Sequence, residues 1–178
     1  MKVLVVVDMQ NDFIVGALGT AEAQAIVPAV VEKIRLWDGE IVATRDTHGE
    51  DYLSTQEGRN LPVPHCVKGT PGWEIESRVQ AALAEKPAVS YVDKPAFGSA
   101  ELGDLLAARN RETPLSELEL VGLCTDICVI SNAMILKSRL SEVPMTVDAS
   151  CCAGVTPESH RNALQAMQVC QIRITGEA

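Results

Sequence analysis

The sequence has few aromatic residues, which make up only 3% of its 178 residues: two Trp, two Tyr and two Phe. The core must therefore be built from Val, Leu, Ile and Ala, which is the composition of a parallel sheet buried by helices on both faces. The same shortage limits any aromatic binding pocket to these few side chains.

Positive charge is also scarce, with 15 Lys and Arg against 24 Asp and Glu and a formal net charge of −9. This sign opposes the attraction that drives binding to nucleic acids and to anionic membranes, so neither partner is expected. The apolar run after Lys2 ends at Asp8, too early for a secretion signal, and no run approaches the roughly 20 residues of a membrane span. We expect a soluble, cytoplasmic protein.

What the chain does contain is an alternation of β-branched runs and amphipathic stretches. The predicted strands are Lys2–Val7, Glu40–Thr44, Val89–Val92, Leu118–Leu123, Met145–Val147 and Cys170–Ile174. The predicted helices are Thr20–Leu36, Trp73–Ala84, Glu101–Asn110, Cys128–Leu140 and Thr156–Met167. With no repeat or linker-like break, residues 1–178 are predicted to form a single domain. The predicted fold is α/β: a three-layer αβα sandwich with a mainly parallel, doubly wound (Rossmann-like) sheet of about six strands.

Six cysteines without a signal peptide make a disulfide framework unexpected, and zinc-type CxxC pairs are absent. Most free cysteines in proteins are small buried hydrophobic residues. We expect this of Cys66, Cys151, Cys152 and Cys170. His160 is expected to be a surface residue.

Cys128 is the candidate nucleophile, because residues 122–129 run from a buried strand into an amphipathic helix. Thr125 or Asp126 can cap this helix, which places Cys128 in its first turn. Free N–H groups and the helix dipole there favour a thiolate and can stabilise an oxyanion. The competing interpretation is a buried structural cysteine.

A cysteine nucleophile needs a base and a group that positions the base. Asp8 follows a strand of apolar residues, and partial burial would raise the pKa of its carboxyl toward the range useful for proton transfer. Lys94 follows another strand and can offset the cost of burying that carboxylate. The alternatives are a solvated acid at a strand end and an ordinary surface lysine.

The irregular stretch from Asp46 to Gly72 carries a candidate metal site. Its carboxylates and imidazoles suit Zn, Mn or Fe with positions left open for water or substrate. The candidate ligands are Asp46, His48, Glu57 and His65, with Glu50 and Asp51 as secondary candidates. The alternative is a polar loop in which these side chains make caps and hydrogen bonds.

Taken together, these residues resemble the isochorismatase-like cysteine hydrolases, and within them the nicotinamidase (pyrazinamidase) branch. Five segments carry the resemblance, in the order of the family. They are Val5–Phe13, Thr44–His48, Pro64–Thr70, Asp93–Phe97 and Gly122–Val129.

The resemblance implies a catalytic triad of Asp8, Lys94 and Cys128, with Cys128 forming a thioester with the substrate. It implies a cis peptide bond before Cys124 and an oxyanion hole made by the backbone N–H groups of Cys124 and Cys128. It also implies a divalent metal, zinc first, on Asp46, His48 and His65, with Glu57 as the additional ligand. Homo-oligomers are common in the family.

The implied activity is metal-dependent hydrolysis of nicotinamide to nicotinate and ammonia. We assign Phe13 and Leu123 to the substrate pocket, with Phe97, Tyr52 or Trp73 as further aromatic candidates. The family usually lines this pocket with several aromatic residues, but residues 59–64 before His65 contain none. A hydrolase of another small amide, carbamoyl or vinyl-ether substrate is therefore the alternative, followed by a non-catalytic, redox-responsive α/β module.

Overall fold

A computed structural model of the protein describes residues 1–176. Its sheet consists of parallel strands in the order β3-β2-β1-β4-β5-β6. The strands are β1 (Lys2–Val7), β2 (Glu40–Asp46), β3 (Val89–Lys94), β4 (Glu117–Leu123), β5 (Met145–Ala153) and β6 (Arg173–Thr175). This order is that of a doubly wound sheet and confirms the predicted α/β class.

The longer helices cover both faces of the sheet. The helices are α1 (Asn11–Ile14), α2 (Ala21–Leu36), α3 (Gln56–Asn60), α4 (Ser77–Ala84), α5 (Ala100–Glu112), α6 (Ile130–Arg139) and α7 (Pro157–Val169). Apolar residues of α2 and α4 pack with Leu4 and Val6 of β1, whereas those of α5, α6 and α7 pack with the alternate residues Val3, Val5 and Val7. The result is the predicted three-layer sandwich.

The strand order reverses next to β1, which is paired with β2 on one side and β4 on the other. In sheets of this kind ligands bind beside this reversal, outside the carboxyl ends of the strands. Gly122 near the end of β4 has a φ of 119°, and a Cβ there would collide with the carbonyl oxygen of Val7. Only glycine lets the two central strands approach so closely at the edge where the candidate site residues emerge.

Several boundaries differ from the prediction. Strand β5 continues to Ala153 instead of ending at Val147, and α4 begins at Ser77 because the Glu76 side chain caps it, accepting from two backbone N–H groups. Cys170 was wrongly predicted to be buried: it caps the end of α7, before β6 begins, and is exposed. Cys66, Cys151 and Cys152 are buried as expected. No helix in residues 1–176 has the length and apolar character needed to cross a membrane.

Candidate active site

Three strand ends bring the predicted catalytic side chains into contact. Lys94 is the last residue of β3, Asp8 directly follows β1, and Cys128 lies in the turn after β4. Nζ of Lys94 lies 2.6 Å from Oδ2 of Asp8 and 3.4 Å from Sγ of Cys128. All three residues are buried. A non-catalytic redox module required Asp8 and Lys94 to lie away from Cys128, so this arrangement argues against that alternative.

The Asp8 carboxylate is held by β2 as well as by Lys94. The Thr44 hydroxyl donates a hydrogen bond of 2.6 Å to Oδ1 of Asp8. Burial raises the pKa of the Asp8 carboxyl, and the charge of Lys94 lowers it again only in part. Asp8 is therefore a stronger base than an ordinary carboxylate, as expected for a group that moves protons.

The pKa of the Cys128 thiol is not lowered, although its place in a helical turn predicted that it would be. Burial raises its pKa well above the ordinary value, and the charge and hydrogen bond of Asp8 raise it further against the lowering effect of Lys94. The position in a helical turn does not outweigh the loss of water around the sulfur. A raised pKa disfavours the thiolate, so a Cys128 nucleophile would need a neighbouring base, and the Asp8 carboxylate lies beside the thiol.

The turn that carries Cys128 is a π-helical turn over Thr125–Val129. It is capped by Cys124 and not by Thr125 or Asp126, and the peptide bond between Leu123 and Cys124 is cis. The Cys124 carbonyl accepts from the N–H groups of Ile127 and Val129. The turn therefore contains Cys128 and begins next to Cys124, the two residues whose backbone N–H groups are predicted to form the oxyanion hole.

Two side chains of the turn are tied to the rest of the fold. Oγ1 of Thr125 lies 2.7 Å from Nδ1 of His160, and the Asp126 carboxylate accepts from the Val155 N–H group. His160, predicted to be a surface residue, is partly buried, and its ring is bonded to this turn.

The four predicted metal ligands form one cluster at the end of β2. It comprises Asp46, His48, Glu57 and His65, whose ligand atoms all lie within 4.8 Å of one another. Nε2 of His48 is 2.8 Å from Oδ2 of Asp46, and Nε2 of His65 is 3.6 Å from the same atom. Glu57 is supplied by α3, inside the stretch predicted to be irregular. The secondary candidates Glu50 and Asp51 do not belong to this cluster.

The chemistry of this cluster fits a divalent metal ion. Nε2 of His48 is buried and has no hydrogen-bond partner among the described residues, although the Asp46 oxygen is near. Nδ1 of His65 lies 2.9 Å from the Val63 carbonyl oxygen, which leaves Nε2 facing the cluster. Two imidazoles and two carboxylates, with a second shell that orients a histidine, are a typical zinc-binding set.

Lys94 connects the cluster to the catalytic residues, since its Nζ lies 3.2 Å from Oδ1 of Asp46. The pKa of Lys94 is above its ordinary value: burial lowers it, but the charges of Asp8 and Asp46 and the hydrogen bond to Asp8 raise it more. Lys94 is therefore a permanent cation between the two groups of residues.

A comparison with known protein families identifies the family to which this chain belongs. The model of the isochorismatase domain matches residues 2–178. The chain belongs to the isochorismatase family. This assignment confirms the resemblance carried by the five sequence segments.

Relatives within the isochorismatase family point to one branch. The nicotinamidase/pyrazinamidase of Mycobacterium tuberculosis is 29% identical over 98% of both chains. The solved nicotinamidase/pyrazinamidase of Bacillus subtilis has a TM-score of 0.86 and 27% identity over 98% of both chains. The pyrazinamidase of Pyrococcus horikoshii, solved in complex with zinc, has a TM-score of 0.79 and 33% identity over 99% of both chains. The predicted nicotinamidase branch is thereby confirmed.

A cavity of about 560 Å³ opens beside the metal cluster of this isochorismatase-family chain. It is lined by His48, Thr55, Gln56, Glu57, Asn60, Leu61, Pro95, Ala96, Phe97 and Ile127. Phe97 is the one Phe, Tyr or Trp side chain in that lining, which also contains the aliphatic residues Leu61 and Ile127.

Of the residues predicted for the substrate pocket, Phe97 lines this cavity and the others do not. The Phe13 ring is centred 5.5 Å from the His65 ring, and Leu123 is buried in the core beneath α2 and α4. Tyr52 packs edge-on against His48, and the Trp73 ring is covered by Arg45. None of these side chains lines the cavity, but Phe13 and Tyr52 contact the histidines of the metal cluster.

Three side chains that hold the site residues in place were not predicted from the sequence: Gln10, Thr44 and Asn132. The Gln10 side chain bonds both the N–H group and the carbonyl of Asp46, at 2.7 and 2.8 Å. For Gln10 the available signal was a polar residue shortly after a buried strand, and for Thr44 it was a polar residue within one. For Asn132 it was a polar residue on the apolar face of an amphipathic helix.

Proposed function

We propose that this chain is a metal-dependent amidase that hydrolyses nicotinamide to nicotinate and ammonia. One observation carries the proposal: Asp8, Lys94 and Cys128 are in contact directly beside a four-residue metal cluster that faces a cavity. The nicotinamidases and pyrazinamidases among the relatives support the choice of substrate.

In the first half of the reaction, Asp8 accepts the proton of the Cys128 thiol as the sulfur attacks the amide carbon. The backbone N–H groups of Cys124 and Cys128 stabilise the negative charge that develops on the amide oxygen. Asp8 then delivers the proton to the leaving nitrogen. The carbon–nitrogen bond breaks, ammonia departs, and the acyl group remains on Cys128 as a thioester.

In the second half, Asp8 accepts a proton from a water molecule that attacks the thioester carbon. The carbon–sulfur bond breaks, nicotinate forms, and the proton returns from Asp8 to the Cys128 sulfur. Lys94 keeps the Asp8 carboxylate oriented in both halves through their 2.6 Å contact. The raised pKa of Asp8 suits a group that must accept and release a proton in each cycle.

Asp46, His48, Glu57 and His65 would hold the metal ion, which we propose to be zinc because of the two imidazole and two carboxylate donors. When bound, the ion supplies a Lewis acid that holds an electron-pair donor of the substrate at the cavity. The zinc complex of the Pyrococcus horikoshii pyrazinamidase supports this choice. Mass spectrometry of the native holoprotein would distinguish zinc from manganese or iron.

The direct test is to incubate the zinc-loaded protein with nicotinamide and to measure nicotinate by chromatography and ammonia by a coupled assay. We expect equal amounts of both products. We also expect the activity to be lost on chelation and to return when zinc is added. Absence of turnover on both nicotinamide and pyrazinamide by metal-loaded protein would contradict the proposal.

A second candidate is the hydrolysis of another small amide or carbamoyl compound by the same residues. The cavity favours it, because Phe97 is the one Phe, Tyr or Trp side chain in its lining and aliphatic side chains make up the rest of its apolar wall. A panel of aromatic, aliphatic and carbamoyl amides at equal concentration separates the two. A higher kcat/KM for an aliphatic or carbamoyl amide than for nicotinamide would favour the second candidate.

We further propose that residues 1–178 act as a single domain in the cytoplasm. The family match over residues 2–178 supports the first statement. The six cysteines, all unpaired within the described residues, are consistent with a reducing compartment. Light scattering after size-exclusion chromatography would test the homo-oligomer expected from the family resemblance.

A further inference from the structure

A buried asparagine joins the turn of Cys128 to one wall of the cavity. Asn132 lies in the first turn of α6 and is fully buried. Its Nδ2 donates to the carbonyl of Cys128 at 2.8 Å and to the carbonyl of Phe97 at 3.2 Å. Its Oδ1 accepts from the Ser99 N–H group at 2.9 Å. Each half of the amide group is therefore used.

We call residues 95–99 the wall loop, because Pro95, Ala96 and Phe97 line the cavity. The loop is held from two directions. Nζ of Lys94 donates to the Ala96 carbonyl at 3.1 Å, while Asn132 holds Phe97 and Ser99. The loop also lies tightly against α6, since a Cβ at position 98 would lie 2.6 Å from Cδ1 of Ile135.

Packing alone does not require an amide at this position. A buried polar group costs free energy unless it is paired, so an apolar side chain would fill the same space without this cost. What the amide adds is a set of directional bonds that fix two backbone segments relative to each other. One segment carries the sulfur, and the other carries the Phe97 ring against which a substrate would rest.

We propose that Asn132 is a positioning residue, which fixes the wall loop relative to the Cys128 turn so that a bound amide meets the sulfur in line. This proposal rests on the proposed function for its consequences in catalysis. Small displacements of reacting groups lower rates strongly, so losing these bonds must affect the reaction and not only stability.

The test compares two variants of equal shape, Asn132→Thr and Asn132→Val. A threonine hydroxyl can donate to the carbonyl four residues earlier, here that of Cys128, whereas valine cannot. Both variants lose the bonds to Phe97 and Ser99. Asn110→Thr is the matched control, because the Asn110 side chain likewise accepts a backbone N–H bond, from Leu115, but lies far from the cavity along α5. If Asn132→Val does not fold, Asn132→Ala takes its place.

We expect KM for nicotinamide to rise roughly tenfold in both Asn132 variants, because the wall loop is released. We expect kcat to fall roughly tenfold in Asn132→Val and to stay near the parent value in Asn132→Thr. The Asn110→Thr control should lower only the unfolding temperature. Parental kcat and KM in both Asn132 variants, measured well below their unfolding temperatures, would overturn the proposal. Equal kcat in the Thr and Val variants would overturn the part that concerns Cys128.

Two further readouts need no turnover. The rate at which iodoacetamide alkylates Cys128, followed by peptide mass mapping, should change in Asn132→Val and not in Asn132→Thr. Hydrogen exchange of the Ser99 amide should accelerate in both. If the parent does not hydrolyse nicotinamide, the proposed function fails, but these readouts still decide the role of Asn132. Unchanged alkylation and unchanged exchange would overturn it independently.

Discussion

Two lysines of this protein each lie between two carboxylates and near a cysteine, and only one of the two sets has the properties of an active site. The Lys94 cluster consists of Lys94, Asp8, Asp46 and Cys128. The Lys33 cluster consists of Lys33, Glu119, Asp148 and Cys151, of which Lys33, Asp148 and Cys151 line a common cavity. The contacts of Lys33 to its carboxylates are 2.6 and 2.7 Å long, compared with 2.6 and 3.2 Å for those of Lys94.

The clusters differ in how fully their charges are satisfied. Asp148 accepts from the Ser150 N–H group and hydroxyl in addition to Lys33, and these bonds lower the pKa of its carboxyl against the effect of burial. The pKa of Asp8 is raised instead, because its burial is complete and its partners compensate only in part. The side chain of Lys33 is 27% exposed, whereas that of Lys94 is not exposed at all.

The clusters also differ in their place along the strands. The Lys94 cluster lies at the carboxyl ends of β1, β2, β3 and β4, beside the reversal of strand order. The Lys33 cluster lies on the flank of β4 and β5, under α2. Proximity of a lysine, acids and a thiol is therefore not enough for catalysis. Incomplete charge compensation at a strand end distinguishes the Lys94 cluster, which we propose to be the catalytic one.

The largest expected difference in activity is between variants of the two cysteines, Cys128 and Cys151. Cys128→Ala should reduce kcat on nicotinamide on the order of 10³-fold or more, because the nucleophile is lost. Cys151→Ala should leave kcat unchanged, since this thiol has no part in the reaction and its pKa is raised to about 11 by burial. Nicotinate formation by both variants is the measurement. A comparable loss of activity in Cys151→Ala would mean that the two clusters are not functionally distinct.

The next largest expected difference is in the free energy of unfolding of variants of the two lysines, Lys94 and Lys33. Lys94→Met leaves two fully buried carboxylates without their cation and should cost roughly 3–5 kcal/mol in the free energy of unfolding, with loss of activity. Lys33→Met should cost only about 1–3 kcal/mol and leave kcat intact, because water reaches the Lys33 cluster. Urea unfolding followed by circular dichroism gives both values. An equal loss in the free energy of unfolding for both variants would show that the difference in burial between the clusters does not affect their stability.

The smallest effect concerns pH and the Lys33 cluster. Because the pKa of Asp148 is lowered in the folded state, its ionised form stabilises the fold above the pKa of the unfolded chain, and this contribution is lost as pH falls through the folded-state pKa. The destabilisation caused by Asp148→Asn should therefore be largest near neutral pH and shrink in acid. Urea unfolding over a pH series tests this. A cost that stays constant or grows toward acid pH would contradict the assigned direction.

The sequence was sufficient for the features that depend on local pattern. The apolar runs of β1 and β4 predicted the central strands, and the residue types after them predicted which groups would lie together at the strand ends. Strand β5 was predicted too short, because Asp148 and Ser150 interrupt its apolar pattern. The charge of Asp148 is compensated by Lys33 from α2, a partner that is distant in sequence.

Properties set by three-dimensional surroundings could not be read from the sequence. The helical position of Cys128 indicated a lowered pKa, but burial by several distant segments reverses the direction. The substrate pocket was assigned to Phe13 and Leu123 from their place in the chain, and neither residue lines the cavity beside Phe97. The direction of the Cys128 pKa and the lining of a cavity both depend on which surfaces remain in contact with water, and that depends on packing.

The single ammonium group of Lys94 contacts Asp8, Asp46 and Cys128 at once. For protein engineering, this means that the nucleophile and the metal cluster are not separate modules that can be exchanged one at a time. Substitutions in the two should combine non-additively, because each changes the charge that the same lysine balances. A redesign that aims at another metal or another nucleophile would have to select both sets of residues together.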